Sequence, residues 1–205
     1  MVTLVGRYAS PFVRRVAVTM QHQNIPYDRV VASSLREPEK ILAINPVGRV
    51  PVLIRDDGRK LIESWAIIDY LEEQAPPDLR VIPPAGEDRV SALQAVGIMM
   101  AALDKGLQIT FETSRRPEEK QHGDYAAWLK SQVVAALKQL EDMQFNGWIV
   151  GDRLTIADIT VAVGYRFLRF VTPDSTEPGD YPTLAAHSER CEKLEAFINC
   201  PPETF

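Results

Sequence analysis

A serine at the start of a helix is the first residue in this 205-residue chain that could do chemistry. Ser10 is followed by Pro11, a pair typical of a helix N-terminus, where the serine caps the helix and the proline takes the first helical position. The free N–H groups and positive dipole end of such a helix also favour a bound anion such as a thiolate. Ser10 is therefore either a cap alone or a cap that also faces a ligand.

Val50-Pro51 is the second segment of interest. A proline at the start of a strand removes only one donor from the sheet ladder, and the bond before it is usually trans and structural. If the bond is cis in a tight turn, Val50 can turn its backbone N–H and C=O towards a ligand. A peptide-like ligand would then pair with Val50 as an added strand does.

Glu63-Ser64 is the third segment, where a hairpin ends and a helix opens. Ser64 could simply cap this helix. Alternatively, the helix N-terminus and the Ser64 hydroxyl could hold an amino-acid carboxylate, with Glu63 near the ammonium group. Together the three segments suit a peptide with a thiol in the middle and an amino-acid head.

The first half of the chain alternates strand and helix signals that would position these segments. Apolar residues at helical or alternating spacing, with Asn-Ile-Pro, Asn-Pro and Asp-Gly breaks between them, predict seven elements. These are strands at 2–6, 27–31, 50–55 and 60–62 and helices at 13–23, 37–44 and 64–74. The order predicts a small mixed sheet whose last two strands form a hairpin.

The second half reads as an all-helical bundle. Prolines at 76, 77, 83 and 84 predict an extended link. Helical stretches follow at 87–114, 123–144, 155–170 and 183–198. We therefore expect an α/β domain over 1–75, a linker over 76–86 and an all-α domain over 87–205.

Composition excludes several classes of function. The formal net charge of -5 and the lack of a basic tract argue against a nucleic-acid partner. No signal peptide and no apolar run long enough to span a bilayer are expected. Cys191 and Cys200 are expected to be unpaired thiols, and the scattered histidines predict no metal site.

Four motifs together resemble the cytosolic glutathione transferase family. YASPFVRRV (8–16), NPVGRVPVL (45–53) and ESWAIIDYL (63–71) are similar to three successive signatures of its glutathione-binding domain, and GDRLTIADI (151–159) is similar to its buried helix-start motif. The resemblance implies a thioredoxin-like α/β N-terminal domain and an all-α C-terminal domain. In the fourth motif we expect Thr155 and Asp158 to form a capping box, with Leu154 packed on Ile159, so Asp158 should serve folding and not catalysis.

The resemblance also implies roles for site residues. Ser10 stands at the position of the serine that activates the glutathione thiol in serine-type members. The Ser-Pro-Phe start is most similar to tau-like classes and their bacterial relatives. Tyr8 is an alternative to Ser10 for this role, and a less favoured one. Residues expected to bind glutathione are Val50 with a cis Pro51 for the cysteinyl backbone, Glu63 and Ser64 for the γ-glutamyl head, and Arg49 or, less favoured, Lys40 for the glycyl carboxylate.

A pocket for a second, hydrophobic substrate is expected from the same resemblance. Its expected lining residues are Phe12, Met99, Met100, Leu103 and Phe111, with Tyr165 and Arg169 as weaker candidates. A methionine-containing face is also typical of core packing. Arg14 and Arg15 are expected on the helix surface or at the domain boundary.

The implied activity is transfer of glutathione, as a substrate and without a metal, to an electrophilic hydrophobic compound. A detoxifying role, a cytoplasmic location and a homodimer follow from the same resemblance. Alternatives are a glutathione-dependent disulfide or peroxide reductase and a non-enzymatic binding or regulatory protein of this fold. A zeta-like isomerase is a further alternative, although its double-serine-cysteine start is absent here.

Overall fold

The structure is a computed structural model that describes residues 1–145 and 147–203. The chain forms two compact units. The first combines Met1–Ile82 with the described part of the segment that begins at Lys193, and the second is Pro83–Glu192.

The first unit has the predicted alternation of strands and helices. Its elements are β1 (Val2–Val5), α1 (Pro11–His22), β2 (Tyr27–Val30), α2 (Pro38–Ile44), β3 (Val52–Ile54), β4 (Lys60–Ile62) and α3 (Ser64–Gln74). The sheet order is β2-β1-β3-β4, with β1 parallel to β2 and the other two pairs antiparallel. The mixed sheet that ends in a hairpin is thus confirmed, and so is the α/β class of this unit.

The core of this unit lies on both faces of the sheet. Val5 pairs with Val52 and clusters with Ile41 of α2. Their neighbours Leu4 and Leu53 are also paired and wholly buried. Because successive side chains of a strand point to opposite faces, β1 and β3 are covered on both sides.

The second unit is all helical, as predicted. Its helices are α4 (Gly86–Ser114), α5 (Gly123–Glu141), α6 (Ile156–Val171) and α7 (Pro182–Cys191). α4 packs against α5 and α6, and α6 packs against α7. By length and composition alone α4 is apolar enough to cross a membrane, so the expectation that no such stretch exists is wrong; in this unit α4 is the helix on which α5 and α6 pack.

The capping box at the start of α6 is confirmed. The Thr155 backbone N–H and hydroxyl both donate to Asp158 Oδ2 at 2.8 Å. Asp158 Oδ1 accepts from the backbone N–H of Ile149 at 2.8 Å, and the carboxylate is fully buried. Asp158 therefore joins the preceding loop to the helix start and is a structural residue.

Two expectations about the chain after α3 are wrong. The predicted helix over 183–198 is two helices, α7 and then α8 (Glu195–Ile198), because the chain leaves the second unit at Glu192 and α8 packs on α1 of the first. The domain expected over 87–205 therefore ends earlier. The link after α3 is held to that helix by hydrogen bonds. The Glu72 carboxylate accepts from the N–H groups of Val81 and Ile82 at 3.0 and 2.9 Å.

Candidate functional site

Ser10 caps α1, as its sequence context predicts. The turn before the helix is closed by the Ser10 N–H, which donates to the Arg7 carbonyl at 3.0 Å. The Ser10 hydroxyl oxygen accepts from the Val13 N–H at 3.4 Å, a long and therefore weak cap. Within the described residues the hydroxyl donates to no protein group, so its hydrogen is available to an anion at the positive end of α1.

Tyr8, the alternative to Ser10, is not placed to donate a hydrogen bond to an anion in this structure. Its side chain is 4% exposed and its hydroxyl shares a 2.7 Å hydrogen bond with the Tyr27 hydroxyl. The Arg29 guanidinium lies 3.5 Å from the centre of the Tyr8 ring. Burial and the Tyr27 hydrogen bond raise the pKa of Tyr8 far above its usual value, so it stays protonated. Tyr8 is therefore a buried structural residue of this turn.

Gly6 brings the Ser10 loop against the segment that carries Val50. Its φ is +132°, and a Cβ there would lie 2.5 Å from a Val13 methyl and 3.2 Å from the Val50 Cβ. A residue with a side chain would therefore push apart the first turn of α1 and the Val50 segment. Glycine is required at this position, which sequence reasoning did not single out.

The Val50-Pro51 bond is cis, as predicted. No hydrogen-bond partner for the Val50 N–H or C=O occurs among the described residues. The loop before it is held by Asn45, whose side chain accepts from the Val47 N–H at 3.1 Å and donates to the Arg49 carbonyl at 2.9 Å. The first of these bonds is an Asx turn, a local signal that Asn45-Pro46 already carried in the sequence.

The start of α3 differs from the expectation that Ser64 caps it. Glu63 is the residue before the helix, with φ +72° and no side-chain cap, and Ser64 is the first helical residue. Ser64 is fully buried and its hydroxyl oxygen accepts from an Arg15 N–H at 3.2 Å. Direct contact of this hydroxyl with a ligand, as expected from the sequence, is therefore not available in this structure.

Arg15 was expected on the helix surface or at the domain boundary, and the surface placement is wrong. Its side chain is wholly buried beside the start of α3, with the guanidinium 5.8 Å from the centre of the Trp65 ring. Burial lowers the pKa of Arg15 to about 9, against the opposing effect of the Glu63 carboxylate, so it is charged at neutral pH. The N-terminus of α3 therefore has a positive charge beneath it in addition to its helix dipole.

Arg14 is buried for a different reason. Its Nε donates to the Cys200 carbonyl at 2.8 Å, and its guanidinium lies 5.7 Å from the centre of the Phe197 ring. It therefore holds the C-terminal segment against α1. Neither arginine is a surface residue.

Arg49 joins the Val50 segment to the start of α3. Its Nε lies 3.8 Å from a Glu63 carboxylate oxygen, and both side chains are more than half exposed. Lys40 pairs elsewhere among the described residues: its exposed ammonium contacts the carboxylate of Glu37, the residue before α2. Three close approaches thus bring the site segments together: Gly6, which lies just before the Ser10 motif, with Val50; Arg49 with Glu63; and Arg15 with Ser64.

The residues expected to line the second-substrate pocket lie in different environments. Met99 and Leu103 are at most 1% exposed and face Gly164 of α6, and Tyr165 is buried with its hydroxyl on the Thr176 carbonyl. Their expected role is wrong for this structure, because helical spacing alone does not separate a core face from a pocket face. Phe12, Met100, Phe111 and Arg169 keep some exposure.

The cysteines are unpaired, as predicted; both are buried, and burial raises the pKa of Cys191 to about 12. Among residues 1–145 and 147–203, no three histidine, cysteine or acidic side chains are placed to hold a metal ion. The first unit offers a hydroxyl at Ser10, the backbone groups of Val50 and the N-termini of α1 and α3. These features suit an extended peptide that carries an anionic sulfur and a carboxylate.

Comparisons with known proteins agree with this geometry. The family model of the glutathione S-transferase N-terminal domain matches residues 4–79, and that of the C-terminal domain matches residues 112–190. A solved glutathione S-transferase of Methylobacillus flagellatus with glutathione bound is 26% identical, with a TM-score of 0.90 over 99% of this chain and 100% of that one. The thioredoxin-like and all-helical architecture is thereby confirmed.

Two curated relatives reach higher identity. A probable maleylacetoacetate isomerase of Caenorhabditis elegans is 30% identical over 193 residues, which are 92% of this chain and 86% of that one. The maleylacetoacetate isomerase of Pseudomonas aeruginosa is 34% identical over 160 residues, which are 75% of this chain and 74% of that one. With both domain models matched in order, the chain belongs to the glutathione S-transferase family.

Proposed function

We propose that this protein is a glutathione transferase in which Ser10 activates the thiol of bound glutathione. The observation that carries the proposal is the Ser10 hydroxyl, which uses its oxygen to cap α1 and keeps its hydrogen available. Gly6 places the same loop against Val50, whose backbone N–H and C=O have no partner among residues 1–145 and 147–203 and can pair with a peptide. Glutathione bound in the solved relative supports the choice of peptide.

The thiol is activated by stabilisation of its charged form. A free thiol has a pKa of roughly 8.5, so only a few per cent is thiolate at neutral pH. A hydrogen bond from Ser10 and the positive end of α1 both favour the thiolate and so lower its pKa. The sulfur then attacks an electrophilic carbon; a C–S bond forms and the leaving group departs with its electron pair. Ser10 donates a hydrogen bond and forms no covalent bond.

The rest of glutathione is placed by the neighbouring groups. The cysteinyl backbone pairs with Val50, and the γ-glutamyl carboxylate meets the backbone N–H groups in the first turn of α3, above the buried charge of Arg15. The exposed Glu63 carboxylate is available to the ammonium group, and Arg49 to the glycyl carboxylate. This placement assigns the γ-glutamyl carboxylate to the backbone and not to the buried Ser64 hydroxyl.

The test is Ser10→Ala, with Tyr8→Phe as the matched control that also removes a hydroxyl from this turn. A hydrogen bond to a charged group contributes about 1.5–3 kcal/mol, so we expect kcat/KM with an aryl halide to fall roughly 10- to 100-fold at neutral pH. Glutathione affinity should change little, because most of its contacts remain. Tyr8→Phe should lose much less activity.

Two results would contradict this assignment. If Ser10→Ala keeps full activity, Ser10 is only a helix cap. If the wild-type protein is not retained by immobilised glutathione, the transferase proposal fails and a non-enzymatic binding or regulatory protein of this fold becomes the favoured alternative.

A second activity is favoured by the two curated relatives, one named as a maleylacetoacetate isomerase and the other as a probable one. In that reaction the glutathione thiolate adds to a carbon–carbon double bond, rotation follows, and elimination returns the thiolate. Glutathione is not consumed. Assays of the wild-type protein with maleylacetoacetate and with an aryl halide, each with glutathione consumption followed, distinguish isomerisation from transfer. Ser10→Ala should lower both activities, since both need the thiolate.

We also propose that the protein is a cytoplasmic homodimer, as the family resemblance implies. Sedimentation equilibrium at micromolar concentration tests the dimer. A monomer across that range would contradict it.

A further inference from the structure

The C-terminal segment is fastened to the helix that begins at Ser10. α8 packs on α1, and the wholly buried Phe197 lies against the guanidinium of Arg14. Arg14 Nε also donates to the Cys200 carbonyl at 2.8 Å, and the Cys200 side chain is fully buried. The chain therefore reaches Glu203 from a fixed position and not as a free tail.

Glu203 joins two arginines next to the Ser10 turn. One carboxylate oxygen accepts from Arg7 Nε at 3.1 Å and the other accepts from Arg29 at 2.8 Å. The three side chains are between 22% and 28% exposed, so these ion pairs are partly shielded from solvent. Shielding of this kind gives ion pairs more weight than fully exposed ones have.

Each of the two arginines is connected to a different residue of the turn. Arg7 is the first residue of the turn, and its carbonyl accepts the N–H of Ser10 at 3.0 Å. Arg29, on β2, lies over the ring of Tyr8, the second residue of the turn. The Tyr8 hydroxyl is fixed in turn by Tyr27. Glu203 thus connects to both residues that set the course of the backbone into Ser10.

We propose that Glu203 is a positioning residue for Ser10, acting through Arg7 and Arg29 on the turn of residues 7–10. The use of Ser10 towards a thiol rests on the proposed function, whereas the restraint of the turn does not. A hydrogen bond to a developing thiolate weakens when its donor is displaced or misaligned. Without the ion pairs to Glu203, the turn should hold the Ser10 hydroxyl in a less well-defined position. No residue that contacts the ligand is changed.

The test is Glu203→Gln, which removes the charge and keeps the shape. Asp57→Asn is a matched control, because Asp57 also bridges two arginines, Arg55 and Arg59, at the β3–β4 hairpin. The first readout needs no ligand: hydrogen exchange of the Ser10 amide should be at least severalfold faster in Glu203→Gln than in the wild type or the control. Equal exchange rates in all three proteins would overturn the proposal.

The second readout is the thiol pKa of bound glutathione, followed by the ultraviolet absorbance of the thiolate against pH. We expect Glu203→Gln to raise this pKa by roughly half a unit to one unit, with glutathione affinity nearly unchanged. Arg7→Gln should have the same effect, and the double variant should add little to either. A loss of thermal stability with an unchanged thiol pKa would show that Glu203 anchors the tail alone.

The two proposals fail in different ways. If the wild type binds no glutathione, the proposed function fails and the exchange of the Ser10 amide still decides the role of Glu203. If the wild type lowers the thiol pKa and Glu203→Gln does so equally, the positioning role fails and the proposed function stands.

Discussion

Asp158→Asn is the change that most directly tests how the second unit is held together. The carboxylate is fully buried and accepts three hydrogen bonds of 2.8 Å, two from Thr155 and one from the Ile149 N–H. Asparagine has nearly the same shape, but one of its two terminal atoms is a donor. Whichever way the amide turns, a buried N–H of the protein then faces an N–H of the side chain.

The cost follows from these contacts. If the amide oxygen takes the place of Oδ2, the Thr155 bonds persist with a neutral acceptor and the Ile149 N–H is left unsatisfied. An unsatisfied buried donor costs about 1–3 kcal/mol, and the loss of charge weakens the two remaining bonds. We therefore expect a loss of about 2–4 kcal/mol in the free energy of unfolding. Asp158→Ala, which removes all three bonds, should cost more.

Urea denaturation followed by circular dichroism measures this loss. Asp152→Asn is the control, because Asp152 lies exposed in the turn just before α6; it should change stability by less than about 0.5 kcal/mol. Under conditions where the variant is folded, its glutathione affinity and thiol pKa should match the wild type. Wild-type stability in Asp158→Asn would refute the structural role, and a folded variant with little activity would give Asp158 a part in catalysis.

Two further changes test the buried histidine and the Ser10 loop. Burial, with the nearby Arg190 charge, lowers the pKa of His187 from 6.5 to about 4. Between these values the unfolded chain binds a proton that the native chain does not, so stability should fall as pH decreases from about 6.5 to 4, by about 3 kcal/mol in total; the slope should be reduced in His187→Asn, and an unchanged slope would show that other groups cause it. Gly6→Ala should cost about 2 kcal/mol or more and weaken glutathione binding, because the added Cβ would lie 2.5 Å from Val13; calorimetric titration with glutathione checks this, and wild-type affinity would contradict it.

Elements with strong local signals were predictable from the sequence. β4 and α3 have the predicted bounds, Lys60–Ile62 and Ser64–Gln74, because an Asp-Gly turn and an apolar helical face define them. The capping box was predictable for the same reason, since both hydrogen bonds from Thr155 to Asp158 span three residues.

What depended on distant contacts was not predictable. Arg14 and Arg15 look like surface residues of a helix, and their partners, Cys200 and Ser64, lie far along the chain. The break between α7 and α8 has no local signal either, since the residues from Cys191 to Leu194 include neither proline nor glycine. Packing of α8 on α1 decides it.

The candidate site is built mainly from backbone groups. Its peptide-binding groups could therefore be predicted more readily from the sequence than the reaction of the bound sulfur. Gly6 at φ +132° and Glu63 at φ +72° set the course of the backbone, and the N–H and C=O groups of Val50 have no hydrogen-bond partner among the described residues. Ser10 is the side chain on which the proposed activation of the sulfur depends. We expect such a site to keep its affinity for glutathione when single side chains change, while the reaction of the bound sulfur changes. Relatives named as transferases and relatives named as isomerases fit this expectation. Assays with maleylacetoacetate and with an aryl halide are therefore more informative for this chain than measurements of glutathione affinity.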